Sequence, residues 1–286
     1  MSNSGETRGV GRPVLHWWQG VSGWFSFVHN RKPDLASSIL PVTAGTVLTA
    51  LLVVTGTILL ALFVDPPYLS MIQQEGWQPD GAFELITEFG RSDWFLYPTG
   101  IALIAFSLFR SGGMAARKVH RAHTIFLAIY FVFTSIAFSG LLTMLFKILF
   151  GRYRPEFVDP GYVWQSDAFT RGYEFASFPS GHATTAGAAA MALALLFPRV
   201  RAIFIVAGIW VAISRPALGV HFPSDVFAGF CFGAAFTYVY GRSFARKRLL
   251  FGFTPTGKIL PRYRLQSQTS QDPDNPDPAL QKVGNL

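Results

Sequence analysis

Apolar residues in this chain come in long runs separated by short polar stretches, at about 39–64, 94–110, 124–150, 181–197, 202–220 and 224–241. Crossing a bilayer takes ~20 apolar residues, with a range of ~17–25. The first and third runs are ample, while the second, fourth and sixth lie near the short limit. The pattern predicts an all-α protein, a bundle of six transmembrane helices over 39–241. Before it stands a segment over 1–38, in which Trp17, Val21, Trp24 and Val28 recur at the spacing of one helix face. Aromatics there, with basic residues nearby, predict a helix lying in the membrane interface; an irregular tail is the alternative. Residues 1–36 lack the compact apolar core of a signal peptide, so the first run is expected to act as an uncleaved anchor. After the bundle comes a tail over 242–286, whose last part, 264–286, is rich in Gln, Ser, Asp, Asn and Pro and is expected to be disordered.

Composition agrees with the pattern. Hydrophobic residues make up 50% of the 286, and only 14% are charged, against ~25% in ordinary soluble domains. The net charge of +8 would suggest nucleic acid in a soluble protein. Here the basic residues sit at the ends of apolar runs, so nucleic acid is not expected and charge reports orientation instead. Arg110, Arg117, Lys118 and Arg121 follow the second run, Arg199 and Arg201 the fourth, and Arg242, Arg246, Lys247 and Arg248 the sixth. With six spans these stretches share one side, and their Lys/Arg excess marks it as cytoplasmic. Both termini are then cytoplasmic. The opposite connection, 65–93, carries Asp65, Glu75, Asp80, Glu84, Glu88 and Asp93 against Arg91 alone. The single cysteine, Cys231, lies inside an apolar run and reads as a small packing residue.

Three blocks carry chemistry, and all three map to the non-cytoplasmic side. Charged groups at membrane depth are functional by default. At the end of the third run stands Lys147-Ile-Leu-Phe-Gly-Arg-Tyr-Arg154-Pro155. If the helix continues, Lys147 and Arg154 share a face about 10 Å apart along its axis, although Pro155 disfavours helix at Arg154. Taken alone, the two cations could equally snorkel to headgroups, as could Arg152 beside them. Opening the fourth run is Phe178-Pro179-Ser180-Gly181-His182. N–H groups at a helix start bind anions. Ser180 can cap the helix and donate its hydroxyl, Gly181 admits close approach, and His182 can exchange a proton near neutral pH. In isolation this block also reads as an ordinary helix cap. The third block runs from Ser214-Arg215 through His221 to Asp225. Asp225 lies four residues after His221, within reach of one imidazole nitrogen, which leaves the other free as nucleophile or base. An interfacial histidine and an acid favoured by the helix dipole would look the same.

Together the blocks say more than any one of them. Two histidines, a carboxylate and several cations at one membrane face suit a phosphoryl group with its spread negative charge. One histidine can attack phosphorus while the other protonates the leaving oxygen. Neighbouring cations would repel a divalent metal and can themselves stabilise transition-state charge, so neither metal nor other cofactor is expected.

In this order the blocks resemble the type 2 phosphatidic acid phosphatase (PAP2) superfamily, whose pattern is K-x6-RP, then PSGH, then SR-x5-H-x3-D. Lys147 to Arg154-Pro155, Pro179 to His182, and Ser214-Arg215 to His221 to Asp225 match every defining position. The resemblance covers about 94–241. It implies that His221 is the nucleophile and forms a phosphohistidine, that Asp225 orients it, and that His182 is the general acid and then the base. Lys147, Arg154, Ser180, Gly181 and Arg215 would hold phosphate oxygens. The family needs no metal, and six apolar spans set this chain apart from its soluble acid phosphatases and haloperoxidases.

The expected function is therefore hydrolysis of a lipid phosphate or diphosphate: undecaprenyl diphosphate, phosphatidylglycerol phosphate, phosphatidate or lipid A. The motifs see only phosphate and do not choose among these. A phosphotransferase would use the same residues. A non-catalytic anion or lipid transporter would need the cations but not the histidines. The 65–93 stretch, with Trp77, Phe83 and Phe89, is expected to cover the site. Short loops and the lack of an N-x-S/T site fit a bacterial cytoplasmic membrane, with the site facing the periplasm or exterior. Small-residue faces leave the oligomeric state open.

Overall fold

The computed structural model describes residues 30–34, 38–40, 43–74, 77–79, 81–108, 116–159 and 162–262. The interfacial helix expected around Trp17–Val28 and the disorder expected over 264–286 lie outside them. Helix α1 spans Ala44–Leu59 and is closed at its start by a reciprocal pair: Thr46 N–H donates to Thr43 Oγ1 (3.2 Å) and Thr43 N–H to Thr46 Oγ1 (2.9 Å). The chain does not leave the helix at Asp65, where the first run was expected to end. A π-helical turn over Leu60–Val64 leads into α2, Asp65–Ile72. Pro66 and Pro67 lack the N–H groups that would continue the α ladder, but proline fits a first helical turn, and the wider π turn carries the chain past this point.

A short helix α3, Ala82–Glu88, precedes α4, Asp93–Leu108. Helix α5, Ala116–Phe150, is the longest and stops at Gly151. That residue has φ +54° and donates its N–H to Lys147 O at 2.8 Å, a glycine helix stop. The helix therefore does not extend to Arg154, which lies in extended backbone before a 3-10 turn at Pro155–Phe157. Helices α6 (Gly181–Leu196), α7 (Arg201–Ala217) and α8 (Pro223–Arg246) complete the bundle. A hairpin of β1 (Phe251–Phe253) and β2 (Ile259–Pro261) folds back on it. The tail expected to begin at 242 thus first extends α8 and then adds packed structure. Phe251 is fully buried, edge-on to Phe131 with ring centroids 5.1 Å apart.

Helix α6 packs most extensively on α8, and small residues explain how. A Cβ on Gly187 would lie 2.2 Å from Phe230 O, and one on Gly233 2.1 Å from Thr184 O. Only glycine lets the two backbones approach this closely. Outward faces are apolar instead. Leu51, Leu52 and Leu62 of the first helical stretch are about as exposed as Ile203 and Trp210 of α7. Bare apolar faces of this extent belong against lipid. Ala44–Ile72 and Arg121–Phe150 are long and apolar enough to cross a membrane, and Gly181–Leu196 is a shorter apolar helix.

Candidate active site

One end of the bundle collects the end of α5, the start of α6, the end of α7, the start of α8 and the start of α2. The expected site residues all map there. Lys147, in the last turn of α5, donates from Nζ to Ala176 O at 2.6 Å. Its Cε would be 3.9 Å from a Cβ on Gly181, the nearest atom to that glycine, so the helix start beside Gly181 has open space on this face. Arg154 donates from Nε to Tyr173 O (2.9 Å) and from Nη1 to Val220 O (3.3 Å), and its guanidinium lies 3.8 Å from the Tyr173 ring centre. The first block is thereby fastened next to His221. Burial pushes the Arg154 pKa down, while Tyr173, Glu156 and Asp225 pull it back up.

Ser180 occupies the N-cap position of α6, but its hydroxyl does not cap. The Thr184 N–H and hydroxyl both go to Ser180 O, at 3.0 and 2.9 Å. Ser180 N–H donates to Asp225 O at 3.0 Å, which ties the second block to the third. Ser180 Oγ is left buried without a partner, and so is Arg215 Nε. Buried polar atoms are rarely left unpaired, and both fit a bound oxyanion. Arg215 donates from Nη1 to Thr87 Oγ1 at 2.7 Å. His182 sits against Gly90, where an added Cβ would lie 3.1 Å from its Cδ2.

His221 lies in the turn between α7 and α8 and is 1% exposed. Burial, then Arg154, Lys147, Arg215 and His182, push its pKa well below the ordinary imidazole value. It is therefore neutral at physiological pH, with a lone pair available. Its Nδ1 faces Ser177 Oγ at 3.4 Å and Asp225 Oδ2 at 3.7 Å. The direct hydrogen bond expected from Asp225 is thus stretched beyond bonding distance, and the Ser177 hydroxyl, which donates to Asp225 Oδ2, sits beside both groups. Phe222 N–H donates to the same oxygen at 3.0 Å. Nδ1 is the ring nitrogen turned toward these groups.

Four residues that sequence reasoning did not select belong to this end. Ser177 and Thr87 touch site residues directly. Arg152, read as a snorkelling cation, is 0% exposed and is paired with Asp225 and, at 2.9 Å, with Asp65. Asp65, read as a loop acid, is buried in α2. The signal available for both was a charge bordering an apolar run. Trp77, in the 65–93 stretch, lies against Gly219: its ring would be 2.8 Å from a Cβ on that residue, which has φ +73°. Tyr68 adds a hydrogen bond from its hydroxyl to Pro216 O at 2.8 Å.

The chain is similar to several known proteins. A lipid A 1-phosphatase from Rhizobium johnstonii is 40% identical over 178 residues, 61% of this chain and 71% of that protein. One from Rhizobium etli is 39% identical over 180 residues, covering 61% of this chain and 75% of that one. The crystal structure of a transmembrane PAP2 type phosphatidylglycerolphosphate phosphatase from Bacillus subtilis is 21% identical, with a TM-score of 0.42 over 66% of this chain and 92% of that one. The model of the PAP2 superfamily matches residues 100–249. That match takes in all three blocks gathered at this end of the bundle, and the chain belongs to the PAP2 superfamily.

Proposed function

We propose that this PAP2-type phosphatase hydrolyses a phosphate monoester of lipid A, without a metal, through a phosphohistidine on His221. One observation carries the reading: two buried, unpartnered donors, Ser180 Oγ and Arg215 Nε, lie at the same end of the bundle as a neutral buried histidine. The lipid A class is favoured over the other lipid phosphates because the two curated relatives act, by name, on lipid A.

In the first step His221 Nε2 attacks phosphorus, forming the P–N bond as the bond to the leaving oxygen breaks. His182 gives that oxygen its proton. Lys147, Arg154, Arg215, Ser180 Oγ and the N–H at Gly181 take the charge that spreads over the phosphoryl oxygens. In the second step a water attacks phosphorus, His182 takes its proton, and the P–N bond breaks to release inorganic phosphate. Asp225 steadies the imidazolium side of His221 throughout. The cations supply what a divalent ion would supply elsewhere, and a dication beside them would be repelled.

The setting proposed for this chemistry is a six-span domain with both termini cytoplasmic and the site on the non-cytoplasmic face of a bacterial inner membrane. The reading rests on the Lys/Arg excess of the opposite loops. The test is phosphate release by the detergent-solubilised protein, with EDTA present, from lipid A, phosphatidylglycerol phosphate, phosphatidate and undecaprenyl diphosphate. Release should be fastest from lipid A and unaffected by EDTA. A different lipid at the head of the ranking would overturn the substrate, and EDTA sensitivity would overturn the metal-free mechanism.

A further inference from the structure

Behind His221 lies a cluster of buried charge, of which the mechanism above uses Asp225 alone. Asp65 opens α2, Arg152 sits in the loop after α5, and Asp225 stands in the first turn of α8. All three side chains are 0% exposed. Arg152 Nη1 donates to Asp225 Oδ1 and, at 2.8 Å, to Ser224 Oγ. Its Nη2 donates to Asp65 Oδ2 at 2.9 Å and to Val163 O at 3.2 Å. The rings of Trp164 and Phe222 each lie 4.1 Å from the guanidinium carbon and fix its plane. Asp65 in turn accepts the Ser224 N–H at 3.1 Å and the Ser224 hydroxyl. It therefore holds both the guanidinium and the start of α8.

We infer that Asp65 and Arg152 are positioning residues that hold the Asp225 carboxylate, and through it the His221 ring, in the orientation needed for attack. The inference rests on His221 being the nucleophile. Arg152 occupies Oδ1 of Asp225, so Oδ2 is the oxygen presented to Ser177, Phe222 N–H and His221. The fork of the guanidinium decides which oxygen serves the imidazole. A purely structural role explains this arrangement less well, because buried ion pairs can be replaced by apolar groups without loss of stability. An arrangement that ends on the nucleophile's partner has a reason to be charged. Asp65 also lies before residue 100, where the family match begins. The first membrane-crossing stretch is thereby part of the catalytic unit rather than only an anchor.

The test uses the full chain in detergent with the best lipid phosphate found above. Asp65→Asn, Arg152→Lys and the double variant Asp65→Asn/Arg152→Gln are compared with wild type. The double variant removes one charge of each sign, so the cluster keeps its net charge and its folding can be checked by melting. The inference expects kcat to fall on the order of 10²-fold. KM and inhibition by inorganic phosphate should stay within about twofold, because the oxyanion contacts are untouched. A folded double variant with wild-type kcat would overturn it. Loss of phosphate inhibition in step with kcat would overturn it too, by showing that the pair shapes the phosphate pocket instead. His221→Ala runs alongside: activity surviving there indicts the nucleophile assignment, not the role of Asp65 and Arg152.

Discussion

At the scale of single residues, the site is defined by what is left unpaired as much as by what is bonded. The Ser180 hydroxyl makes no capping bond and is left buried without a partner, while Thr184 donates to the Ser180 carbonyl. Arg215 is aimed by Thr87 rather than by an acid, so its charge stays uncompensated for substrate. Thr87→Val should therefore weaken phosphate binding roughly ten- to a hundredfold, the loss of a hydrogen bond to a charged group. Inhibition by inorganic phosphate measures it, and an unchanged inhibition constant would remove Thr87 from the site. His221 makes a second prediction. Its pKa in the folded protein lies well below the unfolded value of ~6.5. The unfolded chain takes the proton first, so the contribution of neutral His221 to stability is full above about pH 6.5 and is lost as pH falls. The melting temperature should decline from pH 7 toward pH 5, and the decline should be shallower in His221→Gln. Equal slopes would mean that His221 is solvated.

At the scale of elements, the precision of the site depends on how closely α6 and α8 approach. A Cβ at Gly233 would meet Thr184 O, and one at Gly229 would meet Ser180 O at 2.5 Å. Both target atoms are backbone and cannot swing aside. Gly233→Ala should cost about 1–3 kcal/mol and lower activity as well, since α6 carries Ser180 and His182 at its start. Gly140→Ala, with nothing within 4 Å of the new methyl, is the matched control and should melt like wild type. A Gly233→Ala protein that melts and turns over like the control would show that the helices can part freely. The ion cluster behind the site ties α8 to α2 and to the loop after α5, and removing one partner of such a buried pair costs about 3–5 kcal/mol. Folding and catalysis are thus sensitive to the same contacts.

At the scale of the whole molecule, much was legible in the sequence because the membrane imposes a simple rule. Each apolar run became a helix, although the first helical stretch continues to Ile72 and the helix of the third run begins at Ala116, both well outside the expected ends, and the three blocks arrived at one end of the bundle. Spacing placed Asp225 beside His221, but at 3.7 Å rather than in the direct hydrogen bond expected. What stayed hidden was long-range pairing. Asp65 looked like the first residue of an acidic loop because the first apolar run ends at Val64, and only the π turn shows otherwise. Arg152 looked like a surface cation because its two carboxylates lie 87 and 73 positions away. Thr87 and Ser177 have no local signal at all, since their importance lies only in what they touch. The contact of Trp77 with Gly219 was hidden for the same reason.

The central claim is that His221 carries the phosphoryl group from lipid to water. Lipid A labelled with radioactive phosphate at its 1-position, mixed with the purified protein and quenched in alkali within a single turnover, tests it directly. The account predicts an acid-labile, alkali-stable label on the wild-type protein, no label on His221→Ala, and decay of the label at the rate of phosphate release. Rapid phosphate release with no protein-bound label at any time, or a label that persists in His221→Ala, would contradict it.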